Sequence, residues 1–188
     1  MTNDAELIGG VEKRDLTLVP HDPQWFHRFR IEQDRIVNAL GASAHRIDHI
    51  GSTAVAGLDA KPIVDINISV ADPDEEDTYL PRLLEAGYLL RVREPRHRML
   101  RTPDLGVHVH ACAAGSDWER RHLLFRDWLR LDRADRDLYA HVKRELVRRD
   151  WPDMNAYAAA KSEVIASITQ RAEAWALATG WSVSLSRP

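Results

Sequence analysis

The chain has 188 residues, of which 44% are apolar and 29% charged, with a formal net charge of −3 and a single cysteine. That length suits one compact domain with its own core, and the composition excludes collagen-like and wholly disordered chains. The small negative charge gives no general attraction to nucleic acid or an anionic membrane, and Cys112 lacks a partner for an internal disulfide, which points to a reducing compartment. The opening stretch, MTNDAELIGGVEKRD, is polar and glycine-containing and predicts a loose tail over residues 1–15. It carries acidic residues where a signal peptide has an apolar run, and no later segment is apolar for the length of a membrane helix. The expectation is a cytoplasmic protein with no membrane partner.

LTLVP (16–20) predicts a short strand or sheet edge. Asp22 and Pro23 then supply a cap and a first-turn proline for a helix over about 23–40, with Trp25, Phe29, Ile36 and Leu40 on one face. HRIDHI (45–50) alternates as a strand ending at Gly51-Ser52, and STAVAGLDA suits a tight turn or short helix. In PIVDINISV, Val64, Ile66, Ile68 and Val70 share one face, while Ile63, Asp65, Asn67 and Ser69 share the other. Residues 72–87 read as an acidic helix entry, an apolar stripe and a Gly87 stop. Three short strands follow, at 88–92, 98–102 and 107–113, the last pair joined by PDLG. On the third, His108, His110 and Cys112 lie opposite Val107, Val109, Ala111 and Ala113. From Ser116 the period turns helical, with a Ser116/Glu119 capping box. Further helices are predicted at about 134–149 and 153–178, broken by Pro152 and stopped by Gly180. The fold expected is α+β, a small mixed β-sheet followed by a three-helix C-terminal half, in one domain over 16–180. Trp118, Trp128 and Trp175 are assigned to the core.

Asp65 and Asn67, two apart on a strand, project from one face about 7 Å apart at Cα, near enough to converge on one ion. The preceding Gly51-Ser52 turn can offer backbone N–H groups and a hydroxyl to a phosphate. A Gly-Ser turn followed by ligands on a strand is the arrangement of a phosphoryl or nucleotidyl transfer site. Asn67 stands where a second carboxylate is expected, and an amide beside a divalent ion lacks a full negative charge, a loss on the order of several kcal/mol before solvation. In the helical half, Arg126 and Arg130 are one turn apart and can grip a single anion. If His108 and His110 face the site, their imidazoles favour Mn²⁺, Zn²⁺ or Fe²⁺ over Mg²⁺.

The stretch HIGSTAVAGLDAKPIVDI resembles the GrpB family signature EHIGSTAVPGLAAKPIIDI, and LVPHDPQW, HVHAC, WERRHLLFRDWLR, YAHVK and AYAAAK continue the likeness over about 16–175. The chain departs from that pattern at Asp48, at Ala56, where loss of a proline loosens the turn, and in LDRADRD. The family is similar to the nucleotidyltransferase superfold. The resemblance implies phosphate contacts at Gly51, Ser52 and Thr53, a metal ligand at Asp65, a second ligand position at Asn67, and a third on the strand of His108 and His110. Lys61, Arg126, Arg130, Lys143 and Lys161 are expected to bind substrate phosphates, and His110 or His49 to act as base. The function expected is a nucleotidyltransferase-like enzyme that binds a nucleoside triphosphate with a divalent metal, Mg²⁺ or Mn²⁺ ahead of Zn²⁺. It would transfer a nucleotidyl or phosphoryl group to a small-molecule acceptor. The alternative is a catalytically degenerate fold that binds a ligand or a protein. A nucleic-acid module is disfavoured, because no exposed aromatic platform accompanies the negative charge.

Overall fold

The computed structural model describes residues 5–10 and 17–185. Among them, six strands form one mixed sheet in the order β1-β4-β5-β6-β3-β2. The strands are β1 (Glu6–Leu7), β2 (Arg46–Ile50), β3 (Val64–Val70), β4 (Leu89–Glu94), β5 (His97–Arg101) and β6 (Val107–Ala113). Only β3 and β6 pair in parallel; the other neighbours are antiparallel. The α+β class expected from the sequence is observed, with the helical half following the sheet.

Helix α1 (Gln24–Leu40) begins where the Asp22 carboxylate accepts the Gln24 N–H at 2.9 Å, and it buries Trp25, Phe29, Ile36 and Leu40. These side chains pack on Ile47, Val64, Ile66, Ile68 and Val70 of one sheet face, with Val107, Val109 and Ala111 of β6 beside them. Helix α2 (Leu80–Glu85) adds Leu80 and Leu83, with Pro81 in its first turn. Its acidic approach is not helical beyond a single turn at Glu76–Thr78, because Glu76 is held by Arg93 and Arg98 of the sheet.

The opposite face, bearing Asp65, Asn67 and Ser69, is covered by the helical half. Helix α3 (Asp117–Leu131) starts at a Ser116 cap. Helix α4 (Arg133–Val147) starts at Asp132, whose carboxylate accepts the Asp135 N–H. The last predicted helix is two, α5 (Met154–Ala159) and α6 (Ser162–Thr179), with the break at Ala160-Lys161. Among the described residues the half therefore has four α-helices, one more than its periodicity suggests. Two further differences concern the start of the chain. Where a loose tail is expected, Glu6 and Leu7 pair with Arg93 and Val92, and Arg91 holds the Ile8 and Gly10 carbonyls. In the LTLVP stretch, Val19 makes one bridge to Ala60. Residues 1–4 and 11–16, parts of those two expectations, lie outside the described residues.

Helix α3 is fastened to β2 by charge. The Arg126 guanidinium, 1% exposed, donates to the His49 carbonyl at 2.8 Å and lies 3.5 Å from the fully buried Asp48 carboxylate, which Arg46 grips from the other side. Removing one partner of a buried ion pair leaves the other uncompensated, at a cost of several kcal/mol. Arg126→Ala is expected to lower unfolding free energy by about 3 kcal/mol in a urea titration, and a loss under about 1 kcal/mol would show that the pair does not anchor the helix.

Candidate metal and anion site

Strand β2 ends at Ile50, and Gly51 turns the chain with φ 71°. A Cβ at that position would lie 2.6 Å from Oδ2 of Asp65, so both backbone sign and space require glycine. The Gly-Ser turn thus has a role in addition to any phosphate contact: it makes room for the carboxylate on the neighbouring strand.

Parallel pairing sets Asp65 of β3 opposite His108 of β6, and Asn67 opposite His110. Asp65 Oδ1 lies 3.4 Å from His108 Nδ1 and 3.6 Å from His110 Nε2. One ligand atom from each residue falls within 4.8 Å of the others, and the Asp65 side chain is 32% exposed, open to the cavity described below. Burial alone would raise the Asp65 pKa, but hydrogen bonding from the facing His108 imidazole works against it, and the carboxyl is held well below its usual range. One carboxylate and two imidazoles suit a divalent ion of intermediate softness. Ligand atoms about 2.1 Å from an ion at tetrahedral angles lie about 3.4 Å apart, against about 3.0 Å for the right angles of an octahedral Mg²⁺ shell. The two separations from Asp65 lie nearer the wider spacing, and the donor set fits a metal.

Asn67 does not join this group. Its side chain is fully buried, its Oδ1 accepts from Cys112 Sγ at 3.1 Å, and its Nδ2 donates to Ser69 Oγ at 3.1 Å. Ser69 passes its proton toward Glu119, which also accepts the Gly115 N–H. The amide is thus one link in a buried chain that seats the start of α3 on the sheet. Of the predicted set Asp65, Asn67, His108 and His110, the structure brings Asp65, His108 and His110 together and leaves Asn67 out. Cys112 also stays outside the group: it is buried, donates to Asn67, and burial pushes its thiol up to about 11.

A cavity of about 770 Å³ opens in front of Asp65. Gly51, Ser52 and Thr53 lie at its edge, and Phe125, Leu129 and Ile165 form an apolar wall. Lys61, Lys143 and Lys161 reach it from three different segments. Lys143 Nζ donates to Ser52 Oγ at 2.9 Å and to the Asp59 carbonyl at 2.5 Å, and sits 4.6 Å from the Tyr139 ring centre. Lys61 and Lys161 lie over one ring, that of Tyr157, at 5.4 and 4.7 Å. Burial, then repulsion from Lys161, lowers Lys143 to about 7. Burial, then Lys61, lowers Lys161 to about 8. Lys143 and Lys161 are thus held below the ordinary lysine value by burial first and by a neighbouring lysine's charge second. The α5–α6 break is what turns Lys161 into the cavity.

Other predicted residues have different partners. Arg126 and Arg130 do not form a free anion grip: besides the clamp on β2, Arg126 donates to Asp127, and Arg130 donates to the Ala54 carbonyl. Burial, then Arg126, brings Arg130 down to about 10. Thr53 lies on the cavity edge, but its Oγ1 meets His49 Nε2 at 3.0 Å. His49 is stacked on Phe29 in the core, and burial drops its pKa to about 3, so it is no candidate base. Trp118 is not a core residue: its ring stacks on His97 at 5.1 Å and His122 at 3.7 Å, beside His110 at 5.5 Å. His97, which the sequence pattern did not single out, bonds His110 Nδ1 at 3.1 Å. Its signal lay in strand register, which no local motif reports.

Fold and site together define an α+β protein with a carboxylate and two histidines on a mixed sheet, facing a lysine-lined cavity. The GrpB protein family matches residues 15–171, and the chain belongs to that family. It is 51% identical to a UPF0157 protein of Streptomyces coelicolor, across 90% of this chain and 91% of that one. It is 44% identical to a UPF0157 protein of Halalkalibacterium halodurans, across 85% and 83%. A dephospho-CoA kinase of Mycolicibacterium paratuberculosis is 31% identical across 91% of this chain, which spans 49% of that protein's length. Among solved structures, that of conserved protein GrpB from Enterococcus faecalis superposes with a TM-score of 0.72 at 27% identity, covering 85% of this chain and 99% of that one. No helix among the described residues is long and apolar enough to cross a membrane.

Gly51→Ala is expected to displace the Asp65 carboxylate and to cost about 1–3 kcal/mol of stability through backbone strain, read by denaturant unfolding. Lys143 gives a pH signature. The unfolded chain holds a proton that the folded chain releases between about 7 and the ordinary lysine value of 10.5, so raising pH across that window favours folding. The ligand-free protein is expected to gain up to about 1.4 kcal/mol per pH unit relative to Lys143→Met, measured by unfolding at pH 7, 8 and 9.

Proposed function

We propose that this chain binds a divalent metal ion and a nucleoside triphosphate or similar phosphate ester in the cavity, and transfers a nucleotidyl or phosphoryl group to a small-molecule acceptor. The observation that carries this reading is that Asp65 and His108, grouped with His110 behind them, line one opening with Lys61, Lys143 and Lys161. Asp65, His108 and His110 would hold the ion, which is Mn²⁺ or Zn²⁺ in preference to Mg²⁺ because two of three donors are imidazoles. Bound there, it supplies positive charge against phosphate oxygens during displacement.

The chain's own residues supply the rest. The three lysines place ammonium groups where charge on a transferring group is spread, in a setting screened from water by Phe125, Leu129 and Ile165. Lys143 also orients the Ser52 hydroxyl toward the same space. Support for a nucleotide comes from the family's likeness to nucleotidyltransferases, and from the dephospho-CoA kinase half of whose length this chain matches. A second reading, a binding domain without turnover, is favoured by one observation: Asn67, at the position of a second acid, is buried in the sheet's support and leaves a single carboxylate.

Thermal unfolding with triphosphates crossed with Mn²⁺, Zn²⁺ and Mg²⁺ tests binding. A matched pair at 100 times its dissociation constant is expected to add about 2.7 kcal/mol, and Asp65→Asn to remove the metal-dependent part. Chromatography of the nucleotide after incubation separates transfer from binding alone. Undiminished metal-dependent stabilisation in Asp65→Asn would overturn the assignment.

A further inference from the structure

The group behind His110 has no part in the function proposed above. Glu94 ends β4, His97 begins β5, and the two are joined by a turn at Pro95-Arg96 in which Arg96 has φ 62°. Glu94 Oε2 lies 3.0 Å from His97 Nδ1, and His97 Nε2 lies 3.1 Å from His110 Nδ1. The three side chains form a line that ends at His110 Nε2, facing Asp65. Both imidazoles are stacked against Trp118, with His97 and His110 ring centres 5.3 Å apart.

The direction of each hydrogen bond in this line follows from its outer end. An ionised carboxylate only accepts, so His97 carries its proton on Nδ1. With its single proton on Nδ1, a neutral His97 has Nε2 as a lone pair. It accepts, and His110 must therefore donate from Nδ1. A neutral His110 with its proton on Nδ1 has a bare Nε2. That bare nitrogen faces a carboxylate oxygen at 3.6 Å, too far for a hydrogen bond and with lone pairs on both sides. Two facing acceptors repel unless a cation lies between them.

We propose that Glu94 and His97 are positioning residues that fix His110 in its Nδ1–H tautomer and so present Nε2 as a ready metal ligand. This rests on the metal reading of Asp65, His108 and His110. A carboxylate behind a ligating histidine is a common support for metal sites, but here it acts through a second imidazole. Trp118 holds both rings in line, which explains its place at the site instead of in the core. The turn at Pro95-Arg96 brings Glu94 and His97 together without help from the distant helices. The support is thus built on the same sheet as the ligands.

Two measurements test it. Long-range proton–nitrogen NMR on the metal-free wild-type protein, labelled at histidine, is expected to show His110 as the Nδ1–H tautomer. In His97→Phe, which keeps a ring against Trp118, the Nε2–H form is expected to take over. Calorimetric titration with Zn²⁺ and Mn²⁺ is expected to show a 10- to 100-fold weaker site in His97→Phe and about 10-fold in Glu94→Ala, with His97→Gln, whose amide oxygen can still accept from His110, regaining most of it. An Nε2–H tautomer in the wild-type protein overturns the relay even if metal binds. Equal metal affinity in His97→Phe and wild type does the same. Failure of the wild-type protein to bind either ion overturns the metal reading, and the relay's purpose with it.

Discussion

The in-register parallel pairing of β3 with β6 is the constraint on which the site depends. Every other strand pair in this sheet is antiparallel, and hairpin or short connections join β2 to β3, β4 to β5 and β5 to β6. The β3–β6 pair instead joins segments separated by two strands and a helix, and its register sets Asp65 against His108 with His110 one step along. A slip by one residue would turn Asp65 into the α1 face and bring Ile66 into the cavity, since side chains alternate between faces. The apolar set Val64, Ile66, Ile68 and Val70, packed on Phe29 and Ile36, prevents that slip. The core under one face of the sheet thus holds the geometry of the chemistry on the other.

Each face is stabilised by a different kind of interaction. Beneath the sheet the contacts are apolar and non-directional. Above it they are polar and specific: the Asn67–Ser69–Glu119 chain and the Arg46–Asp48–Arg126 clamp both run from strand to α3. These two fastenings position the helical half so that Lys143 and Lys161 reach over the Gly51 turn. Asn67 and Arg126, expected to meet substrate, are fully buried within these fastenings, while the partly exposed Arg130 donates to the Ala54 carbonyl. A side chain that is fully buried with its hydrogen-bonding capacity already filled has nothing to offer a ligand.

The charge distribution in the cavity has the opposite character. Three lysines crowd around Tyr157 and Ser52, and two have pKa values pulled toward neutrality by burial and mutual repulsion. Asp65, by contrast, is held ionised beside His108. Cations are strained on one side of the opening, and an ionised carboxylate stands on the other. An anion among the lysines would relieve that strain, a cation would pair with Asp65, and the proposed phosphate ester with its counter-ion would supply both charges in one ligand.

Much of this was already legible in local pattern. Alternation in PIVDINISV identified which residues face the core, because period-two side-chain direction is a property of the strand itself. The Gly-Ser turn, the α1 face, the Ser116 cap and the candidacy of Asp65, His108, His110, Lys61, Lys143 and Lys161 came from spacing, residue chemistry and family likeness. Local pattern was silent on which of the polar residues would find each other. The removal of Asn67 from the ligand set, the burial of Arg126, the split that aims Lys161 and the recruitment of His97 through Trp118 all depend on contacts between segments far apart in the chain. Those contacts follow from sheet register and helix docking, where many weak terms across the whole fold select one arrangement. Chain order determined what each residue could do chemically, and tertiary packing decided which of them were left with a free atom facing the cavity.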